Sequence, residues 1–229
     1  MMDNIIKIRV LLADDHTIVR QGLRRLLESQ PDMLVVGEAD NGRDVLKSAA
    51  RLRPDVVVMD MAMPGLNGIE ATRQLTREVP SIRVLALSAY SDEEYVLAAC
   101  QAGAAGYLVK HSAATELISA IREAMKGNAY FSPGIAKYFT RHAATGLRST
   151  QSGLARGISL TPREREVLQL IAEGRANKQI AAAMAISVKT VEKHRQSVMD
   201  KLDIHDIAGL TRYALGRKII ENEHDSVSQ

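Results

Sequence analysis

The 229-residue sequence predicts an α/β domain with a doubly wound parallel sheet, followed by a smaller all-α domain of four helices. Short apolar runs recur along the first 126 residues, and amphipathic helical stretches separate them, which indicates the first domain. A strong helix start near residue 160 and two short helices joined by a tight turn indicate the second. The composition, 46% apolar and 25% charged, is typical of a globular protein with a core.

Five apolar runs in the first domain are predicted to be strands. They are continuous rather than alternating, which is typical of strands buried on both faces of a parallel sheet. The runs cover residues 8–13, 34–36, 56–59, 84–87 and 106–109. Helices are predicted between them, and the S-D-E-E sequence at residues 91–94 is a capping-box start for the helix that runs toward Gly103.

Polar side chains stand where four of these runs end. Asp14 and Asp15 follow the first run, Asp60 the third, Ser88 the fourth and Lys110 the fifth. Because ligands of such sheets bind at the carboxyl ends of the strands, we expect these groups to converge. Three clustered carboxylates repel one another unless a cation neutralises them, and hard oxygen donors suit Mg²⁺.

This set of groups is equipped to take up a phosphoryl group. Mg²⁺ and Lys110 would neutralise the phosphoryl oxygens, and Ser88 would donate a hydrogen bond to one of them. Asp60 is the predicted nucleophile, because the run before it projects it into the centre of the edge. One aspartate at a strand end is usually a cap or turn residue, so the prediction depends on the whole set.

The second domain begins with a helix start at residues 160–164, L-T-P-R-E. Thr161 is the predicted N-cap, Pro162 the first helical residue and Glu164 the capping-box partner. Asn177 is predicted to cap a second, short helix and Ser187 a third. A final helix is predicted over residues 206–216, so that the second and third helices form a helix-turn-helix.

The third helix, Val188–Leu202, has an apolar side and a polar side. The predicted core side consists of Val188, Val191, Val198 and Leu202. The opposite face suits the major groove of DNA and consists of Lys189, Glu192, Lys193 and Gln196. The residues expected to hold phosphates are Lys178, Lys189, Thr190 and Arg195. Residues 131–229 carry 15 Lys and Arg against 10 Asp and Glu, and this excess of positive charge favours contact with a polyanion. For any single residue of the helix face, a solvent-exposed surface without a partner is a competing interpretation.

The segment between the two domains has the composition of a linker. Residues 143–159 are rich in Gly, Ser and Thr and lack apolar periodicity, while a short helix is predicted from the spacing of Phe131, Ile135, Tyr138 and Phe139. The predicted organisation is 1–127 for the first domain, 128–157 for the linker, 158–220 for the second domain and 221–229 for a flexible tail.

Cys100 is the only cysteine, which excludes an intrachain disulfide. No signal-peptide or membrane-spanning stretch is found, so we expect a cytoplasmic protein with no membrane partner.

Residues 7–127 resemble the receiver domain of response regulators. The resemblance rests on the acidic pair in LLADDH, on Asp60 in VVVMDMAMPGLNG, on Ser88 in VLALSAY and on Lys110 in GYLVK. It implies a flavodoxin-like sheet of five parallel strands in the order 2-1-3-4-5. It also implies that a sensor histidine kinase phosphorylates Asp60.

The same resemblance implies the details of the site. Asp15 and Asp60 are expected to bind Mg²⁺ directly, Asp14 to bind it through water, and the backbone carbonyl of Ala62 to complete the protein ligands. Tyr107 matches the aromatic residue that swings inward when the serine position moves toward the phosphoryl group.

Residues 158–220 resemble the LuxR-type helix-turn-helix of the NarL/FixJ family. The resemblance rests on LTPREREVLQLIAEG, NKQIA and SVKTVEKHRQSVMDKL. It implies that Val188–Leu202 is the recognition helix and that the final helix pairs two copies on double-stranded promoter DNA. The apolar stripe of that helix, Ile207, Leu210 and Ala214, can serve such a pair or its own domain.

Both domains together predict a response regulator transcription factor rather than an enzyme. Phosphorylation of Asp60 is expected to switch homodimerisation and sequence-specific DNA binding, with RNA polymerase as a further partner. An aspartate-nucleophile phosphatase is an alternative, but such enzymes have a second Asp two residues after the first, where this chain has Ala62. A module whose C-terminal helices bind protein instead of DNA is the other alternative.

Overall fold

The computed structural model describes residues 7–144 and 160–220, with no side chains described for residues 139–144. The chain divides into two compact units between Ala144 and Thr145. The predicted tail, 221–229, lies outside the described residues, as does the linker sequence from residue 145 onward. Among the described residues, every helix is too short or too polar to cross a membrane.

The first unit contains a parallel sheet. Its strands are β1 (Ile8–Ala13), β2 (Met33–Ala39), β3 (Val56–Asp60), β4 (Arg83–Ser88), β5 (Gly106–Val109) and β6 (Tyr130–Phe131). They lie in the order β2-β1-β3-β4-β5-β6, which confirms the predicted order of the first five. The sixth strand, two residues long, was not predicted and pairs with the outer edge of β5.

Six α-helices accompany the sheet in the described part of this unit, together with one 3-10 turn at Lys110–Ser112. They are α1 (Thr17–Glu28), α2 (Gly42–Leu52), α3 (Gly68–Glu78), α4 (Glu93–Gln101), α5 (Ala113–Met125) and α6 (Pro133–Ala144). One face of the sheet packs against α1 and α5, and the other packs against α2, α3, α4 and the start of α6. Alternate residues of β3 point to opposite faces of the sheet, so that Val57 packs in one core and Val58 in the other. Because both faces are buried, every position of the strand is apolar up to Asp60.

The connection into α4 differs in detail from the prediction. Asp92, rather than Ser91, is the N-cap, and its carboxylate accepts a hydrogen bond from the Tyr95 backbone N–H. The helix therefore begins one residue later than a capping box led by Ser91 would require. Ser91 remains in the loop after β4, where its carbonyl oxygen is available to another element.

The second unit is a four-helix domain with its own core. Its helices are α7 (Pro162–Ala172), α8 (Asn177–Met184), α9 (Val188–Leu202) and α10 (Ile207–Gly216). The capping box of Thr161 and Glu164 is present, and Ser187 caps α9 as predicted. The prediction that Asn177 caps α8 is wrong, because Asn177 is the first helical residue and Ala176 is the N-cap.

The predicted core side of α9 is correct except at its start. Val191 and Val198 are fully buried and Leu202 is nearly so, whereas Val188 is 37% exposed. Val188 is the first residue of the helix, so its side chain lies beyond the turns that pack against the core. In α10, Leu210 and Ala214 are buried in the unit's own core, which leaves Ile207 exposed.

Candidate functional site

The carboxyl ends of β1 and β3 bring three carboxylates together. Asp14 and Asp60 are buried, and Asp15 is half-buried beside them. One donor atom from each of these and one from His16 all lie within 4.8 Å of one another. The predicted acidic cluster is therefore assembled by the fold.

Lys110 supplies the positive charge of this cluster. It follows β5, and its Nζ lies 2.8 Å from Asp60 Oδ2 and 3.1 Å from Asp14 Oδ2. Burial raises the pKa of Asp60 to about 7, with Lys110 opposing that rise and the Asp14 charge adding to it. Burial alone would lower the pKa of Lys110, but attraction to Asp60 and Asp14 raises it above its usual value. The lysine is therefore held charged between two carboxylates.

The loop after β3 fixes the orientation of the Asp60 carboxylate. The Ala62 backbone N–H donates to Asp60 Oδ1 at 3.1 Å, and the Gly68 N–H donates to the Met61 carbonyl at 3.0 Å. A Cβ at residue 68 would clash with the Asp60 backbone oxygen, so only glycine allows this close approach. Oδ1 is thus bound by the loop while Oδ2 faces Lys110.

The donors of the cluster suit a hard divalent cation. Carboxylate oxygens from two neighbouring strand ends form a set that Mg²⁺ accepts, since it binds through a few carboxylates and retains waters. His16, to which the sequence analysis gave no role, places Nδ1 2.9 Å from Asp15 Oδ1 and 3.4 Å from Asp14 Oδ1. The residues present therefore fit Mg²⁺, with an imidazole at the rim of the site.

Ser88 and Tyr107 meet at the loop after β4. Ser88 is fully buried at the end of β4, and its Oγ accepts a hydrogen bond from the Tyr90 N–H at 3.1 Å. Tyr107 is fully buried too, and its hydroxyl donates to the Tyr90 carbonyl at 2.8 Å. The structure thus has Tyr107 in the inward position, while Ser88 bonds to its own loop rather than to Asp60 or Lys110.

The outer face of α9 has the predicted composition. Its four members, Lys189, Glu192, Lys193 and Gln196, are all exposed. The Gln196 side-chain amide donates to Asp200 at 2.7 Å, one helical turn further along. This face presents two cations, a carboxylate and an amide, groups that can read base edges.

The four residues predicted to hold phosphates fall into two groups. Lys178 and Lys189 are exposed at the first turns of α8 and α9. Thr190 bonds to the Ser187 hydroxyl at 2.8 Å, and Arg195 donates to the Asn177 side chain at 3.2 Å. Arg195 therefore also links α9 to α8, which fixes the angle between the two helices.

Glu164 has a larger role than the predicted cap. Its carboxylate accepts hydrogen bonds from the Thr161 N–H, the Ser197 hydroxyl and Lys201 Nζ, all at 2.7–2.9 Å. Burial alone would raise the pKa of Glu164, but these donors, led by Lys201, lower it to about 2. Since Ser197 and Lys201 belong to α9, this carboxylate ties α9 to α7.

We expect Glu164→Gln to destabilise the C-terminal unit by on the order of 2–3 kcal/mol at pH 7. Because folding lowers the pKa of this carboxyl, its stabilisation is complete above its unfolded value of 4.5 and is lost as pH falls toward 2. Urea unfolding of the 158–229 fragment at several pH values measures this difference. The matched variant Glu192→Gln, on the exposed face, should leave the unfolding free energy unchanged; equal effects of the two variants would contradict the assignment.

Both units match known families. Residues 10–122 match the model of the response regulator receiver domain, and residues 158–214 match the model of the luxR family of bacterial regulatory proteins. Among curated relatives, the transcriptional regulatory protein LiaR of Bacillus subtilis is 42% identical over 207 residues, which cover 90% of this chain and 96% of LiaR. The transcriptional regulatory protein MctR of Rhizobium johnstonii is 40% identical over 93% of this chain and 96% of its own.

Solved structures give the same result. RcsB from Salmonella enterica serovar Typhimurium, bound to a promoter in the presence of the phosphomimetic BeF₃⁻, is 28% identical with a TM-score of 0.56. That match covers 90% of this chain and 97% of RcsB. A LuxR-family two-component response regulator from Aurantimonas is 38% identical with a TM-score of 0.57, over 60% of this chain and 99% of its own.

Proposed function

Because this chain belongs to the response regulators that join a receiver domain to a LuxR-type DNA-binding domain, we propose that Asp60 is its phosphoacceptor and Val188–Leu202 its DNA-reading helix. The chain is a phosphorylation-dependent regulator of transcription. One observation carries the proposal for the acceptor: the oriented carboxylate of Asp60 lies 2.8 Å from Lys110 and beside two further carboxylates. The phosphoryl donor is a sensor histidine kinase.

The residues of the site have separate tasks in phosphoryl transfer. Asp60 Oδ2 attacks phosphorus and forms an acyl phosphate, while the P–N bond to the kinase histidine breaks and its electron pair stays on the imidazole. Lys110 neutralises a phosphoryl oxygen, and the Ala62 N–H holds Oδ1 of the attacking carboxylate. Asp60 and Asp15, with Asp14 acting through water, would hold Mg²⁺, which would neutralise negative charge on the phosphoryl oxygens. Ser88, at the end of the neighbouring strand β4, would donate a hydrogen bond to the phosphoryl group.

The DNA interface uses the exposed face of α9. Glu192, Lys193 and Gln196 read base edges in the major groove, and Lys178, Lys189, Thr190 and Arg195 hold the phosphates on either side. RcsB, which is similar over nearly its whole length, binds a promoter, and this likeness supports the interface. The receiver of this proposal includes residues 128–144, which belong to the first compact unit, and the DNA-binding unit covers residues 158–220. Both act in the cytoplasm, where kinase and promoter are found.

Phosphorylation favours a homodimer on DNA. The likeness to RcsB, which was solved as two dimers on two parallel DNAs, supports this assembly. A symmetric dimer places two copies of α9 on half-sites about one helical turn apart. RNA polymerase is the further partner expected of a protein that acts at promoters.

Selection of bound DNA from random sequence, with and without acetyl phosphate, tests this function. We expect one motif with two related half-sites to be enriched, and more strongly after phosphorylation. Lack of any enrichment in both samples would favour the alternative in which the C-terminal helices bind protein. Equal enrichment in both would keep DNA binding and contradict its control by Asp60.

A further inference from the structure

The segment after α5 is built into the receiver. We call residues 130–144, which form β6 and α6, the β6–α6 arm. Its strand pairs with β5, with Tyr130 opposite Gly106 and Phe131 opposite Tyr107. Ile135, from the first turn of α6, is fully buried in the same core cluster as Tyr107. The arm therefore covers the edge of the sheet beside the phosphoacceptor site.

Ser132, at the junction of β6 and α6, is hydrogen bonded to β5, the strand that immediately precedes Lys110. It is 3% exposed, and its N–H donates to the Tyr107 carbonyl at 3.0 Å. Its Oγ accepts from the Val109 N–H at 3.2 Å and donates to Glu116 at 2.5 Å. Since Val109 immediately precedes Lys110, this buried hydroxyl fixes the backbone from which the lysine reaches Asp60.

Tyr138, one turn after Ile135, reaches the loop that follows β4. Its hydroxyl donates to the Ser91 carbonyl at 2.9 Å. The neighbouring carbonyl, of Tyr90, accepts from Tyr107. Two tyrosine hydroxyls, one from β5 and one from the arm, thus hold consecutive peptides of the loop that begins at Ser88.

We propose that Ser132 and Tyr138 are positioning residues for phosphoryl acceptance, through which the β6–α6 arm stabilises the arrangement that holds the phosphoryl group. Neither side chain touches Asp60. Ser132 acts through Val109 on Lys110, and Tyr138 acts through the loop on Ser88. Because coupling between two equilibria is reciprocal, binding of a phosphoryl group also tightens the docking of the arm. This inference rests on the proposed role of Asp60.

Binding of BeF₃⁻ to the full-length chain in Mg²⁺, followed by ¹⁹F NMR, tests the coupling. We expect Tyr138→Phe, which keeps the ring, to weaken BeF₃⁻ binding about 2- to 10-fold, the range given by one hydrogen bond. Ser132→Ala should weaken it at least as much, because it leaves the buried Val109 N–H without its partner. The affinity for Mg²⁺ alone should equal that of the wild type in both variants. A general structural defect of the site would weaken Mg²⁺ binding as well.

Matched variants exist on the same elements. Tyr130→Phe removes a hydroxyl from the arm on the opposite face of the sheet, and Ser119→Ala removes one from the exposed face of α5; both should bind BeF₃⁻ as the wild type does. Amide exchange in residues 133–138 should slow when BeF₃⁻ is added, and less so in Tyr138→Phe. Failure of the wild type to bind BeF₃⁻ would overturn the proposed function. Normal binding by the wild type together with equal or tighter binding by Tyr138→Phe would overturn only the role of the arm.

Discussion

Asp60→Asn is expected to abolish labelling of the full-length chain by acetyl phosphate in Mg²⁺. The amide has the shape of the carboxylate but lacks its nucleophilic oxygen, and it is a poorer ligand for a hard cation. In the wild type the Asp60 carboxylate is oriented by the Ala62 N–H and lies 2.8 Å from Lys110 Nζ, at the end of the strand between β1 and β4. Intact-protein mass spectrometry counts the phosphoryl groups added before and after the substitution.

The loss of labelling should not be a loss of folding. Burial, opposed by Lys110 and assisted by Asp14, raises the pKa of Asp60 to about 7, so ionising this carboxyl costs more in the folded chain than in the unfolded chain. When folding raises the pKa of an acid, the folded protein loses stability as that acid ionises. For Asp60 this loss accumulates as pH rises from the unfolded value of 3.8 through about 7. Removing that charge should therefore leave Asp60→Asn at least as stable as the wild type at pH 7.

Asp40→Asn is the matched control for the acceptor. Asp40 follows β2 at the same edge of the sheet but is exposed, and it should be dispensable for labelling. Label that persists in Asp60→Asn would assign the acceptor to another residue, which peptide mapping would identify. Label lost in both variants would indicate general damage to the edge rather than the loss of one nucleophile.

The sequence was sufficient to predict that the charged side chains at one edge of the receiver sheet meet, but it did not predict that Ser88 bonds to its own loop. Parallel strands end at one edge of a sheet, so Asp14, Asp60 and Lys110 could be grouped from strand ends alone, and the structure brings them within hydrogen-bonding distance. Contacts that depend on tertiary packing left no such signal. The bond between Glu164 and Lys201 joins residues 37 positions apart, and β6 is too short to show a strand period.

Local patterns predicted helix faces better than helix ends. The 3.6-residue period placed Val191 and Val198 in the core of the second unit correctly, because three turns of α9 pack there. Asn177 is a favourable N-cap residue by type, yet the cap is Ala176, whose N–H is bound by the Gln179 side chain at 2.8 Å. The choice of that cap depends on a side-chain contact, which residue preferences cannot reveal.

Lys193→Ala is expected to weaken binding to the selected DNA motif by about 10-fold or more, the range for loss of one base contact. Lys193 is exposed on the outer face of α9, one turn after Lys189, so its ammonium is free to contact base edges in a groove that admits the helix. The loss should be largest on the selected motif and smaller on unrelated DNA. Fluorescence anisotropy with both DNAs measures the two affinities.

Lys189→Ala separates a phosphate contact from a base contact. Lys189 lies in the first turn of α9, where we propose that DNA phosphates bind, so its loss should weaken all sequences alike and reduce the salt slope by about one unit. Lys47→Ala, which makes the same charge change on α2 of the other unit, should alter neither the affinity nor the slope. If Lys193→Ala binds both DNAs as the wild type does at every salt concentration, the outer face of α9 is a solvated surface. The basic charge of the second unit would then have to contact DNA through another helix.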